Sequence, residues 1–75
     1  MAGSDPVLDA LRKLVAERER YFDRMDVLNS DGRRLLASAA RVAAKRGFRV
    51  SAKRAWRYLK NPTFDEALRL IARWD

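Results

Sequence analysis

A small all-α domain of four helices is predicted by three observations. Apolar residues recur three and four positions apart in four separate stretches. No stretch alternates with a period of two, and each helical stretch is bracketed by residues that start or stop a helix. The 75 residues allow one domain, and 48% apolar with 36% charged residues supply a core and a solvated exterior rather than a disordered chain.

Residues 1–5 read as a flexible N-terminus, with Asp5 as N-cap and Pro6 at the first helical position, where a missing N–H is harmless. From there a long amphipathic helix is expected over 6–28, with Val7, Leu11, Leu14, Tyr21, Met25 and Leu28 on one stripe and Leu8, Val15 and Phe22 beside it. Asn29-Ser30-Asp31-Gly32 ends it. A second helix is expected from about Gly32 to Arg46, carrying Leu35, Leu36, Ala39, Ala40, Val42 and Ala43 on one side, with Gly47 as its left-handed terminator. Its alanines imply a closely packed neighbour. Phe48-Arg49-Val50 then connects to a third helix capped by Ser51 and reaching about Lys60, with Ala52, Ala55, Trp56 and Leu59 inward. Asn61-Pro62 stops it. Thr63 and Glu66 have capping-box spacing for a fourth helix over Phe64–Trp74, which offers Ala67, Leu68, Ile71 and Trp74 to the core.

The chain contains neither cysteine nor histidine, which removes zinc fingers, disulfide frameworks, thiol nucleophiles and imidazole acid–base chemistry. No cofactor or metal is expected, and no small-molecule ligand is evident. No apolar run approaches membrane-spanning length, and Met1-Ala2-Gly3-Ser4-Asp5 lacks the basic and hydrophobic parts of a signal peptide. The expected location is cytoplasmic. Asp23, Asp26 and Asp31 read as solvated charge rather than a catalytic set, and no phosphate-binding glycine loop is present. No catalytic residue is assigned, and an enzyme is not expected.

The formal charge of +7 is unevenly spread. Residues 1–31 carry −2, residues 32–62 carry +10 without a single acid, and residues 63–75 carry −1. A face that needs only solubility mixes signs, because like charges on adjacent helical turns repel; an acid-free block over two helices calls for an anionic partner. The expected second helix also opens with Arg33 and Arg34 and the third with Lys53 and Arg54, cations at the end of the macrodipole that favours anions. Basic side chains beside free N–H groups suit phosphate.

From Ala39 onward the order of parts resembles the helix-turn-helix of the phage-repressor and Cro family. The resemblance rests on Ala43, Gly47, a basic helix with Trp56, the junction Leu59-Lys60-Asn61-Pro62-Thr63-Phe64 and the helix Ala67-Leu68-Arg69-Leu70-Ile71-Ala72. The Asn-Pro-Thr-Phe junction is similar to one in small antitoxins of that superfamily. Residues 32–74 would then form the helix-turn-helix-like unit, and the connection Phe48-Arg49-Val50 departs from the family in being longer. The resemblance implies that the third helix enters the major groove, with Ser51, Lys53, Arg54 and Arg57 contacting bases. Arg33, Arg34, Arg41, Lys45, Arg46, Arg49 and Lys60 would contact phosphate.

The expected function is that of a sequence-specific double-stranded-DNA-binding regulator of a phage or mobile-element type. The alternative is a helical protein that docks on an acidic surface of a partner protein, such as a polymerase subunit, and modulates it. The Val7, Leu11, Leu14, Tyr21, Met25, Leu28 stripe steps like a coiled-coil seam, with Arg18 snorkelling at its edge, and makes a homodimer the expected assembly.

Overall fold

The computed structural model describes residues 4–74, so most of the expected flexible segment, residues 1–3, lies outside it, as does Asp75. Among the described residues the fold is all-α, with five helices: α1 Pro6–Ala16, α2 Arg18–Tyr21, α3 Ser30–Lys45, α4 Arg49–Tyr58 and α5 Phe64–Ala72. Among these described residues no helix is long and apolar enough to cross a membrane.

Asp5 caps α1 as expected, its Oδ1 accepting from the backbone N–H of Val7 at 2.9 Å. The helix does not run to residue 28. It breaks at Glu17, resumes for the single turn of α2, and ends where Phe22 adopts extended geometry. Asp23 supplies the competing structure: its Oδ1 accepts from Met25 N–H at 2.8 Å and Val27 N–H at 3.1 Å, so a side chain closes the turn that helical carbonyls would otherwise hold. Asp26 adopts φ 59°, a left-handed conformation that aspartate tolerates. The reversed chain pairs Phe22 with Leu28 and Val27 with Thr63 in isolated bridges. Arg18 grips this turn through a two-pronged ion pair to Asp26 and lies 4.1 Å over the Phe64 ring, which Phe22 meets edge-on at 5.3 Å.

Asn29 starts α3 two residues earlier than expected. Its Oδ1 accepts from Gly32 N–H at 2.9 Å while its amide donates to the Arg20 carbonyl at 2.8 Å, fastening α3 to α2. Asp31 therefore occupies the first turn, and Arg33 and Arg34 lie deeper in the helix than a dipole argument for phosphate binding requires. Gly32 is buried against the same junction: a Cβ there would meet the Tyr21 carbonyl oxygen at 2.9 Å.

The core gathers Val7, Leu11 and Leu14 of α1, Tyr21, Phe22, Leu28, Leu36 of α3, and the small residues Ala40, Ala43, Ala52, Ala55 and Ala67. Alanine on both sides lets α3 and α4 approach closely, and this pair makes the most extensive helix contact, followed by α1 with α3. The α1 stripe is consumed in this packing. Val7, Leu11 and Leu14 are fully buried, Tyr21 and Leu28 nearly so, and only Met25 is exposed, at 81%. A stripe covered by its own chain offers no coiled-coil seam. On α5, Thr63 caps as expected by accepting from Glu66 N–H at 3.1 Å, but Leu70 packs inward and Leu68 faces out.

Candidate nucleic-acid interface

The connection between α3 and α4 is Arg46-Gly47-Phe48, shorter than expected, because α4 begins at Arg49. Gly47 adopts φ +89°, and Phe48 returns its N–H to the Ala43 carbonyl at 2.8 Å, which closes the end of α3 with the sharp left-handed turn that glycine permits. Phe48 is the N-cap residue of α4 and provides no side-chain cap.

Ser51 consequently sits inside the first turn and not at the cap. It is buried, and its hydroxyl donates to the Asp5 carboxylate. This corrects its expected role: a buried hydroxyl committed to Asp5 presents nothing to a base edge. Trp56, expected inward, is 43% exposed, and its inward place belongs to Tyr58, whose hydroxyl donates to the Thr63 carbonyl at 2.7 Å. Burial pushes the Tyr58 phenol above its ordinary pKa, with the nearby Glu66 charge acting in the same direction, so it remains a proton donor.

The exposed residues of α4 and its exit are Arg49, Val50, Lys53, Trp56, Arg57 and Lys60. At about 100° per residue they occupy one arc of about 120°, while Ser51, Ala52, Ala55 and Tyr58 occupy the buried arc. Four cations and no acid stand on the exposed arc.

Arg54 lies at its border and is half buried. Its guanidinium donates to the Trp74 carbonyl at 2.7 Å and lies 4.8 Å from the centre of the Trp74 ring, so it ties α4 to the C-terminal segment instead of projecting with Lys53 and Arg57. Base reading by Arg54 would require that tie to open. Arg54 and Arg57 line an open groove between α4 and α5, which Arg73 enters from the far side together with Asn61, Glu66 and Leu70.

The expected phosphate contacts Arg33, Arg34, Arg41, Lys45, Arg46, Arg49 and Lys60 are all exposed. On α3, Arg34, Arg41 and Lys45 share one arc with Ser38. Of the ten bases between residues 32 and 62, only Arg34 has an acidic partner among the described residues: Asp31, at 3.9 Å, with both side chains largely in solvent. The remaining ion pairs, Arg18–Asp26, Arg20–Glu17 and Arg69–Glu66, lie outside the block. Coulomb repulsion within the block is thus left almost uncompensated by the chain itself.

Sequence reasoning missed three features of this surface. The sequence pattern puts Val50 in the connection and Trp56 in the core, and Arg73 lies outside the acid-free block. Trp56 falls on the rotational border between Ala52 and Arg49, where an apolar residue counts equally well toward either face. Arg73 is brought beside Arg57 only by the docking of α5, which no local pattern encodes.

Comparison with models of known protein families finds no match, and comparisons with curated protein sequences and with solved structures find none either.

Proposed function

We propose that the chain is a sequence-specific duplex-DNA-binding regulator that inserts α4 into the major groove. The observation that carries this reading is the acid-free exposed arc of α4, presented beyond a short glycine turn from α3. A helix about 10–12 Å across with its side chains matches the groove width, and cations along it meet the phosphates at the rim. Lys53 and Arg57 are the base-reading candidates, because both stand midway along the exposed face of the helix. Arg49 and Lys60, at its two ends, and Arg34, Arg41 and Lys45 on α3 are the phosphate candidates. A second copy bound to a neighbouring half-site would meet the first through a surface other than the buried stripe of α1.

Fluorescence anisotropy against a randomised duplex pool, at about 50 and about 200 mM salt, tests the proposal. Binding that weakens along a log–log slope of about −0.9 per phosphate contact, with enrichment of a common site, supports it. Absence of binding at the lower salt concentration overturns it and leaves an acidic protein surface as the partner to seek.

A further inference from the structure

Two of the residues on the exposed arc of α4 are not cations. Val50 is 63% exposed and Trp56 43% exposed, among neighbours that are otherwise arginine and lysine. Ten residues of helix thus carry two of the five large hydrophobic side chains exposed on the described surface. A face that needed only charge would fill such positions with polar residues, since apolar surface in water is unfavourable by about 25 cal/mol per Å². A partner that is anionic at its rim and apolar at defined points within would match both kinds of residue on this face.

Duplex DNA has both properties in its major groove: phosphates along the edges and the C5-methyl group of thymine on the floor. A-form RNA has neither an accessible deep groove nor that methyl. We infer that Val50 and Trp56 are specificity-determining residues that read thymine methyl groups, an inference that rests on the DNA-binding reading above. Around the helix Val50 and Trp56 lie about 60° to either side of Lys53, so they face opposite sides of a groove floor whose centre Lys53 addresses, one nearer each strand. Along the axis they are six residues apart, about 9 Å, which is between two and three base-pair steps of about 3.4 Å. The expected site therefore contains two thymines two to three pairs apart on opposite strands.

The test uses the full chain and its selected duplex, with each thymine replaced singly by deoxyuridine, a change that removes only the methyl. Binding should weaken about fourfold at two positions with that spacing, the amount expected for one buried methyl. In Val50→Ala one of these penalties should disappear, and in Trp56→Ala the other, with both variants unfolding at the wild-type temperature because neither side chain is in the core. Tight duplex binding with no penalty at any deoxyuridine overturns the inference and leaves the DNA reading standing. Penalties that persist unchanged in both variants assign the methyl contacts to other residues and overturn it as well. Failure of every duplex to bind overturns the DNA reading and this inference together.

Discussion

Ser51, in the first turn of α4, donates its hydroxyl to the carboxylate of Asp5, the residue that caps α1 from 46 positions earlier in the chain. One carboxylate thereby terminates a helix with one oxygen and holds the proposed recognition helix with the other.

Asp5→Ala should remove both functions and destabilise the fold by about 1–3 kcal/mol, while Ser51→Ala should cost about 1–2 kcal/mol and leave the cap intact. A double-mutant cycle in urea would show coupling between the two, because each loss includes the same hydrogen bond. Additive effects would mean that the bond contributes nothing.

The glycines in the first turn of α3 and just beyond its end should respond to alanine for different reasons. A Cβ on Gly47 meets nothing within 4 Å, so Gly47→Ala should cost about 1–2 kcal/mol through its φ alone, and Gly47→Asn less. Gly32→Ala places a methyl 2.7 Å from Leu28 Cδ2 and 2.9 Å from a backbone carbonyl, so it should destabilise by about 2 kcal/mol or more despite the better helix propensity. Urea denaturation of the three variants checks both the order and the asparagine rescue.

Tyr58 should make stability fall at high pH. Its phenol is raised above the ordinary value of about 10, so the folded state retains a proton that the unfolded chain releases. The stabilisation is complete below about pH 10 and is lost as the pH rises toward the folded pKa. Tyr58→Phe should be less stable at neutral pH by about 1 kcal/mol, through loss of its hydrogen bond to the Thr63 carbonyl, which keeps only the one from Ala67 N–H, and should show a flatter decline above pH 10. Parallel melting curves for the two proteins would exclude this.

On duplex DNA, Lys53→Ala and Arg57→Ala should lower affinity for the selected site by about 1–3 kcal/mol and relax base preference. Arg41→Ala should weaken all duplexes alike and reduce the salt slope by about one phosphate. Arg54→Ala should instead lower the melting temperature, by releasing the Trp74 segment, and shift Trp74 emission. A normal melting temperature with relaxed specificity would return Arg54 to the base-reading set.

Legibility followed the range of the forces involved. Asp5, Gly47 and Thr63 were recognisable from sequence because a cap or a left-handed turn is decided within a few residues. The end of α1 was misplaced because its apolar stripe continues through Tyr21 and Leu28 at helical spacing, yet the Asp23 side chain captures the backbone and those residues reach the core from outside the helix. Ser51 looked like a cap by type, and only the position of Asp5 in the folded chain shows what its hydroxyl binds. The acid-free block was legible by counting. The separation of Arg54 from Lys53 and Arg57 was not, because it depends on where a tryptophan twenty residues later comes to rest.

The pairing of Val27 with Thr63, together with the 2.9 Å hydrogen bond from Leu28 N–H to the Pro62 carbonyl, gives the fold a property of architecture rather than of recognition. The stretch from Asn29 to Asn61 starts and finishes at this one point, and between its ends it packs Leu36, Ala40, Ala43, Ala52 and Ala55 into the same core as α1. Its two ends are stapled side by side. The staple therefore closes a long loop around the core, so that loosening it at Val27 or Thr63 would free both ends of the α3–α4 pair at once while leaving its packing on α1 to hold it.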